Sequence, residues 1–182
     1  MAEATLTAPE SSKALNPMRR LRVEKVVVNC SVGESGVRLE RASKILESLT
    51  GQKPLVRKAK KTIKGFGIHK GEPIAVMVTL RHEKAVDFLK TALEAVKNTL
   101  RSESFDTYGN FSFGVKEHLD MPGTRYDPEL GMIGFDVVVH VTRPGLRVQS
   151  RRIKRSKIPV SHRPTKEESI EFVRREFGVN VV

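Results

Sequence analysis

Apolar residues recur along this chain at two spacings, one strand-like and one helical. Valines crowd residues 21–31 (LRVEKVVVNCS), which predicts a strand. Over 37–50, Leu39, Ala42, Leu46 and Leu49 line one helical stripe, and Gly51 follows as a stop. A short strand is expected over 53–58 and a strong one over 72–81 (EPIAVMVTLR). Residues 82–100 predict a second helix, with Ala85, Phe88, Leu89, Ala92, Leu93 and Val96 on its apolar side. Phe111, Phe113 and Val115 alternate over 111–116 as in a half-buried strand. After a turn-rich connection holding Pro122, Gly123, Pro128 and Gly131, residues 134–142 (GFDVVVHVT) predict another strand. A last helix is expected over 165–177, opened by Thr165 and Glu168 as a capping box and stopped by Gly178.

These elements never alternate as repeated βαβ units, and short connections favour antiparallel pairing. The expected fold class is therefore α+β: a mainly antiparallel β-sheet with helices packed on one face and a long basic loop. Period-2 alternation sorts the strand residues. Val26, Val28 and Cys30 fall on the face that can bury, with Ile74, Val76, Val78, Leu80, Phe135, Val137, Val139 and Val141. Asn29, Met77, Thr79, Arg81, His140 and Thr142 fall on the other, expected to be free of helices. Such a face suits RNA, although it lacks the exposed aromatics that stack on splayed bases. It equally suits a solvated antiparallel sheet.

Charge changes the picture. The 182 residues hold 33 Lys and Arg against 21 acids, a formal charge of +12. From 53 to 70 there are seven basic residues and no acid; from 143 to 166 there are nine and again no acid. Outside these two runs, 17 basic side chains face 21 acidic ones, so the remaining residues are net negative. Solvated faces usually mix signs, whereas two acid-free runs repel themselves unless a polyanion neutralises them. Glycines and prolines punctuate both runs, as in loops. Phe66 and Ile68 interleave the first: Ile68 is expected to anchor it to the core, and Phe66 could stack on a base or anchor likewise.

Candidate chemistry is sparse. His69, His82, His118, His140 and His162 show no metal-ligand spacing, and Cys30 stands alone, as befits a reducing cytosol. Gly65-Phe66-Gly67 is no nucleotide fingerprint, and no nucleophile motif stands beside a base. Asp120, Asp127, Glu129 and Asp136 could hold magnesium for a nuclease only from a turn-rich context. Neither an enzyme nor a cofactor or metal site is expected. Residues 1–17 lack the apolar centre of a signal peptide, and no stretch reaches the length of a membrane span. We expect a cytoplasmic protein without membrane contact, with a flexible tail over 1–17 and one domain over 18–182. That domain includes a basic loop, 57–70, and a basic extension, 143–166.

Five strings sharpen this. VEKVVVNCSVGES (23–35), LTGQKP (49–54), KAKKTIKGFGIHKGEPIAVMVTLR (58–81), FDTYGNFSFGVKEH (105–118) and GFDVVVHVTRPG (134–145) follow one another in order. Together they resemble the large-subunit ribosomal protein five family, which binds 5S ribosomal RNA, in its archaeal form. The likeness runs from about residue 18 to the C-terminus and does not take in the tail before it.

The resemblance implies a structural constituent of the large subunit, seated in the central protuberance. It implies a 5S contact at Asn29, Gln52 and Thr79, to which Arg81 on the same face is added. It implies that the loop reaches the P-site tRNA through Arg57, Lys58, Lys60, Lys61, Lys64, His69 and Lys70. It further implies a bridge to small-subunit protein thirteen, for which the connection after Phe113 is the candidate. Residues 143–166 depart from the bacterial pattern, so only composition speaks for them. Arg143, Arg147, Arg151, Arg152, Lys154, Arg155, Lys157 and Arg163 are expected to meet large-subunit ribosomal RNA. Two other readings stay open: an extra-ribosomal RNA-binding regulator or chaperone, and a metal-dependent nuclease.

Overall fold

The computed structural model describes residues 16–124 and 126–182. Most of the expected N-terminal tail, residues 1–15, lies outside the described residues. Asn16 begins the described chain, and its side-chain oxygen accepts a bond from the Met18 N–H at 3.0 Å, closing a short 3-10 turn.

Five strands form one antiparallel sheet: β1 (Arg22–Ser31), β2 (Leu55–Lys58), β3 (Pro73–Leu80), β5 (Phe111–Val115) and β6 (Phe135–Thr142), in the order β2-β3-β1-β6-β5. A separate two-stranded parallel pair joins β4 (Thr99–Leu100) to β7 (Asn180–Val181). The helices are α1 (Val37–Thr50), α2 (Glu83–Ala95), α3 (Arg147–Ser150) and α4 (Lys166–Phe177). The fold class is α+β, as the alternation of periods predicts.

One sheet face builds the core. Val26, Val28, Cys30, Val76, Val78, Leu80 and the odd-numbered apolar residues of β6 are all buried there. Three helices cover that face with 3.6-period stripes. α1 buries Leu39, Ala42, Ile45 and Leu46; Ile45 joins the expected stripe, while Leu49 is only half-buried. α2 buries Ala85, Phe88, Leu89, Ala92 and Leu93, and α4 buries Ser169, Phe172 and Val173. Each fully buried leucine, such as Leu46 or Leu89, contributes about 1.5–3 kcal/mol relative to exposure.

α4 starts and ends where its sequence signals place it. Thr165 Oγ1 accepts the Glu168 N–H, Glu168 returns the bond to the Thr165 N–H, and Gly178 closes the helix in a left-handed conformation. α2 does not run to residue 100 as expected. It stops at Ala95, and Lys97 and Asn98 take positive φ of 57° and 49°. Thr99 and Leu100 then leave as β4, because pairing with Asn180 and Val181 satisfies their backbone and buries Leu100. Val96 and Leu100 keep helical spacing, so the local pattern carries no trace of this distant partner.

The opposite face is less bare than its pattern suggests. The segment after β6 folds back so that Gln149 and Ser150 of α3 line the same cavity as His140 and Thr142. Thr142 is only 3% exposed. α3 itself buries nothing in the core. The expectation of a wholly helix-free face therefore holds at one end of the sheet and fails at the other.

Candidate nucleic-acid interface

The interface is built on the residues whose parity turns them away from the core. Asn29 lies at the middle of the sheet, opposite Met77 on β3 and Asp136 on β6. Two residues back along β1, Val27 lies opposite Thr79 and Val138; beyond it Lys25 faces His140. Asn29 and Thr79 are thus diagonal neighbours on adjacent strands, both half-buried. The Asn29 amide donates to Ser31 Oγ at 2.9 Å, which holds its side chain along the strand.

Parity also puts groups here that have no obvious use for a phosphate. Val27 and the exposed Val138 make an apolar spot, and the exposed Asp136 carboxylate sits beside Asn29. Together with burial, Asp136 pushes the pKa of Cys30 up. A carboxylate at the centre repels phosphate, so this part of the face suits hydrogen bonds to ribose hydroxyls and base donors. Arg81 is exposed at the end of β3, with Glu24 at a loose 3.8 Å. Gln52 is exposed just past α1, where Gly51 at φ 60° turns the chain toward β2.

Arg57 and Lys58 belong to the edge strand β2 rather than to the loop, paired with Ala75 and Pro73 across a bulge. Residues 59–72 then close on themselves. The Ala59 N–H donates to the Glu72 carbonyl at 2.7 Å, and the Gly71 N–H donates to the Ala59 carbonyl at 2.9 Å. Further out, Ile63 and Ile68 form a bridge around a 3-10 turn, Lys64–Phe66. Glu72 anchors the base by accepting from the His69 N–H at 2.9 Å and Ser35 Oγ at 2.7 Å, and these bonds lower its pKa. Lys60, Lys61, Lys64, His69 and Lys70 are all exposed. Ile68 is half-buried, whereas Phe66 is 78% exposed and anchors nothing.

In the extension, Arg147, Arg151, Arg152, Lys154, Arg155 and Lys157 are exposed. Two arginines, Arg143 and Arg163, are half-buried and make contacts within the protein. The Arg143 side chain, 12% exposed, donates to Glu168 at 2.7 Å and to the Ser161 carbonyl at 3.3 Å. The Arg163 guanidinium lies over the Tyr108 ring, 5.0 Å from its centroid. His162 Nε2 meets the Pro144 carbonyl at 2.9 Å and ties the returning chain to its start.

Where the extension overhangs the sheet it borders an open cavity of about 520 Å³. Tyr108 and Asn110, which carry no charge or periodic signal, enter its wall; the sole hint is an aromatic inside the turn-rich string TYGN. Asn110 Oδ1 and His140 Nδ1 are 2.6 Å apart. Burial first, then Lys25 and Arg81, pull the pKa of His140 down against the opposing pull of Glu24. Away from this interface, the connection between β5 and β6 seats His118 and Met121 in the protein and leaves Tyr126 and Met132 exposed. Among the described residues no cluster of His, Cys, Asp and Glu could hold a metal ion, and no helix is long and apolar enough to cross a membrane.

Comparison with known proteins bears on this arrangement. Residues 16–69 match the family model described as "Ribosomal protein L5", and residues 73–172 match the model of the same ribosomal family's C-terminus. The chain is 54% identical over 168 residues to a protein of Aeropyrum pernix named "Large ribosomal subunit protein uL5", covering 92% of this chain and 88% of that one. It is 52% identical to the protein of the same name from Sulfurisphaera tokodaii, covering 94% and 97%. With that of Methanococcoides burtonii it shares 52%, over 91% and 98%.

Proposed function

The chain belongs to the ribosomal protein L5 family, and from that premise we propose that it binds 5S ribosomal RNA through the open face of its sheet. It is a non-enzymatic structural constituent of the large ribosomal subunit, at work in the cytoplasm where the ribosome is. Its contribution is to organise RNA: cations neutralise phosphate, and fixed polar groups set the register.

One observation carries the proposal. All three core-covering helices lie on one side of the sheet, leaving Asn29 and Thr79 accessible at its centre between two exposed sets of cations. Asn29, Gln52 and Thr79 supply hydrogen bonds to the 5S molecule, with Arg81 beside them. The tip of 59–72 carries Lys60, Lys61, Lys64 and His69, with Arg57, Lys58 and Lys70 at its base, and meets the backbone of the P-site tRNA. The six exposed cations of 147–157 meet large-subunit ribosomal RNA. Tyr126 and Met132 are the exposed apolar groups suited to a neighbouring protein, the small-subunit protein thirteen contact.

Footprinting the purified protein on 5S RNA tests this. Protection by the wild type, weakened by Asn29→Leu or Thr79→Leu, is expected. Undiminished protection in both variants would remove the sheet face from the contact.

A further inference from the structure

The overhung cavity is furnished for a flat, polar guest. The Tyr108 ring is 47% exposed, and Arg163 lies over it in a preassembled cation–π pair. Aromatic and guanidinium planes are the surfaces on which unpaired bases stack. The turn that carries Tyr108 is held by backbone hydrogen bonds and packing. The Asp106 N–H donates to the Asn110 carbonyl at 2.7 Å, the Gly109 N–H donates to the Asp106 carbonyl at 2.9 Å, and Gly109 presses against buried Ser169. The platform therefore exists before any ligand arrives, which spares the ordering cost of binding.

Beside it stands an edge that can read a base. Asn110 Oδ1 accepts from His140 Nδ1 at 2.6 Å, so the imidazole carries its proton on Nδ1 and presents Nε2 as an acceptor. Desolvation first, then Lys25 and Arg81 against the opposing Glu24, lowers its pKa and so favours the neutral imidazole, which can accept. The Asn110 amide N–H groups have no protein partner among the described residues and remain as donors. Lys25, Arg81 and Arg155 line the same cavity and outnumber its one carboxylate, Glu24, which lies 3.8 Å from Arg81, so net positive charge is left for the phosphate that follows the base. A cavity of about 520 Å³ lies in the range of small-ligand pockets, ample for one nucleotide.

We propose that this cavity receives one unpaired nucleotide of 5S ribosomal RNA, its base stacked on the Tyr108–Arg163 pair and its edge met by Asn110 and His140. The inference rests on the 5S-binding reading above and adds a second, base-directed contact to it.

The test uses the full chain with a 5S RNA transcript, irradiated at 254 nm and mapped for nucleotide adducts by mass spectrometry, alongside affinity measurements. An adduct on the peptide bearing Tyr108 is expected. Tyr108→Ala should weaken binding about 5- to 150-fold, the loss typical of one base stack, while Tyr108→Phe should bind as the wild type does. Wild-type protein that fails to bind 5S RNA would bring down the 5S reading, and this inference with it. Firm wild-type binding that Tyr108→Ala leaves unchanged, with no adduct at Tyr108, would overturn the inference alone. Mononucleotides serve as the second probe. If AMP, GMP, CMP or UMP bind at micromolar concentration and compete nothing from 5S RNA, the cavity belongs to a free nucleotide and the proposal is wrong.

Discussion

Glu168 holds two segments at once: one carboxylate oxygen accepts from Arg143 at 2.7 Å, and the other accepts the Thr165 backbone N–H at 3.1 Å. The same acid closes the capping box of α4 and neutralises the first cation of the extension. Arg143 stays largely out of water with this partner and the Ser161 carbonyl meeting its two terminal nitrogens, while its buried Nε has no partner among the described residues. Glu168→Ala should lower stability to urea unfolding by about 1–3 kcal/mol, since it removes the return half of the capping box and strands a mostly buried charge. Arg143→Met combined with Glu168→Gln should recover part of that loss, because no uncompensated charge remains.

Gly109 is the tightest point of the Tyr108 turn. A Cβ there would fall 2.0 Å from Ser169 Oγ and 3.1 Å from the Thr165 carbonyl, on a backbone already at φ +74°. Gly109→Ala should destabilise the fold by about 2–4 kcal/mol through combined overpacking and left-handed strain, read from the urea midpoint. Gly123→Ala serves as the control. It shares the positive φ but a Cβ there meets nothing within 4 Å among the described residues, and the change should cost about 1–2 kcal/mol.

His140 makes stability depend on pH. Its folded pKa lies below the ordinary 6.5, through burial and then through Lys25 and Arg81 against Glu24, while Arg155 and Arg163 line the same cavity. Below about pH 6.5 the unfolded chain binds a proton that the folded chain resists, so stability falls as pH drops toward the folded pKa. His140→Gln should flatten that slope in unfolding curves taken between about pH 5.5 and 7.5, one unit either side of the ordinary value. An unchanged slope would exclude His140 as its source.

Cations on the exposed segments make association salt-dependent. If about six to ten phosphates are engaged, affinity for 5S RNA should fall about 10³- to 10⁵-fold between about 50 and 200 mM salt. Binding that barely responds to salt would contradict phosphate neutralisation. Replacing Lys60 and Lys61 together by Ala should leave 5S affinity intact and weaken tRNA binding in the assembled subunit, because both project from the 59–72 segment beyond edge strand β2. Equal losses for both RNAs would dissolve that division.

Cys30 is 2% exposed, and burial together with Asp136 pushes its thiol pKa up. Folded protein should therefore react slowly with iodoacetamide at pH 8, and protein in urea rapidly, by mass spectrometry. Asp136→Asn should speed the folded-state reaction modestly, since burial is the larger cause of the shift.

What the chain dictated by itself was local. The bounds of α1, the capping box and glycine stop of α4, and the strands around Val26–Cys30, Val76–Leu80 and Val137–Val141 follow from periods of 3.6 and 2 and from end signals a few residues away. So does the placing of Asn29 and Thr79 on the face away from the core, because side-chain direction in a strand is set by parity alone. Tertiary structure decided whatever needed a partner far along the chain. β7 ended α2 early, Glu168 withdrew Arg143 from the free cations, and the returning extension buried Thr142 and set Arg163 over Tyr108. Charge and hydropathy describe one residue at a time. A buried pair, a covered face or a walled cavity depends on which distant segments meet, and that is settled only when the packing of the whole molecule is settled.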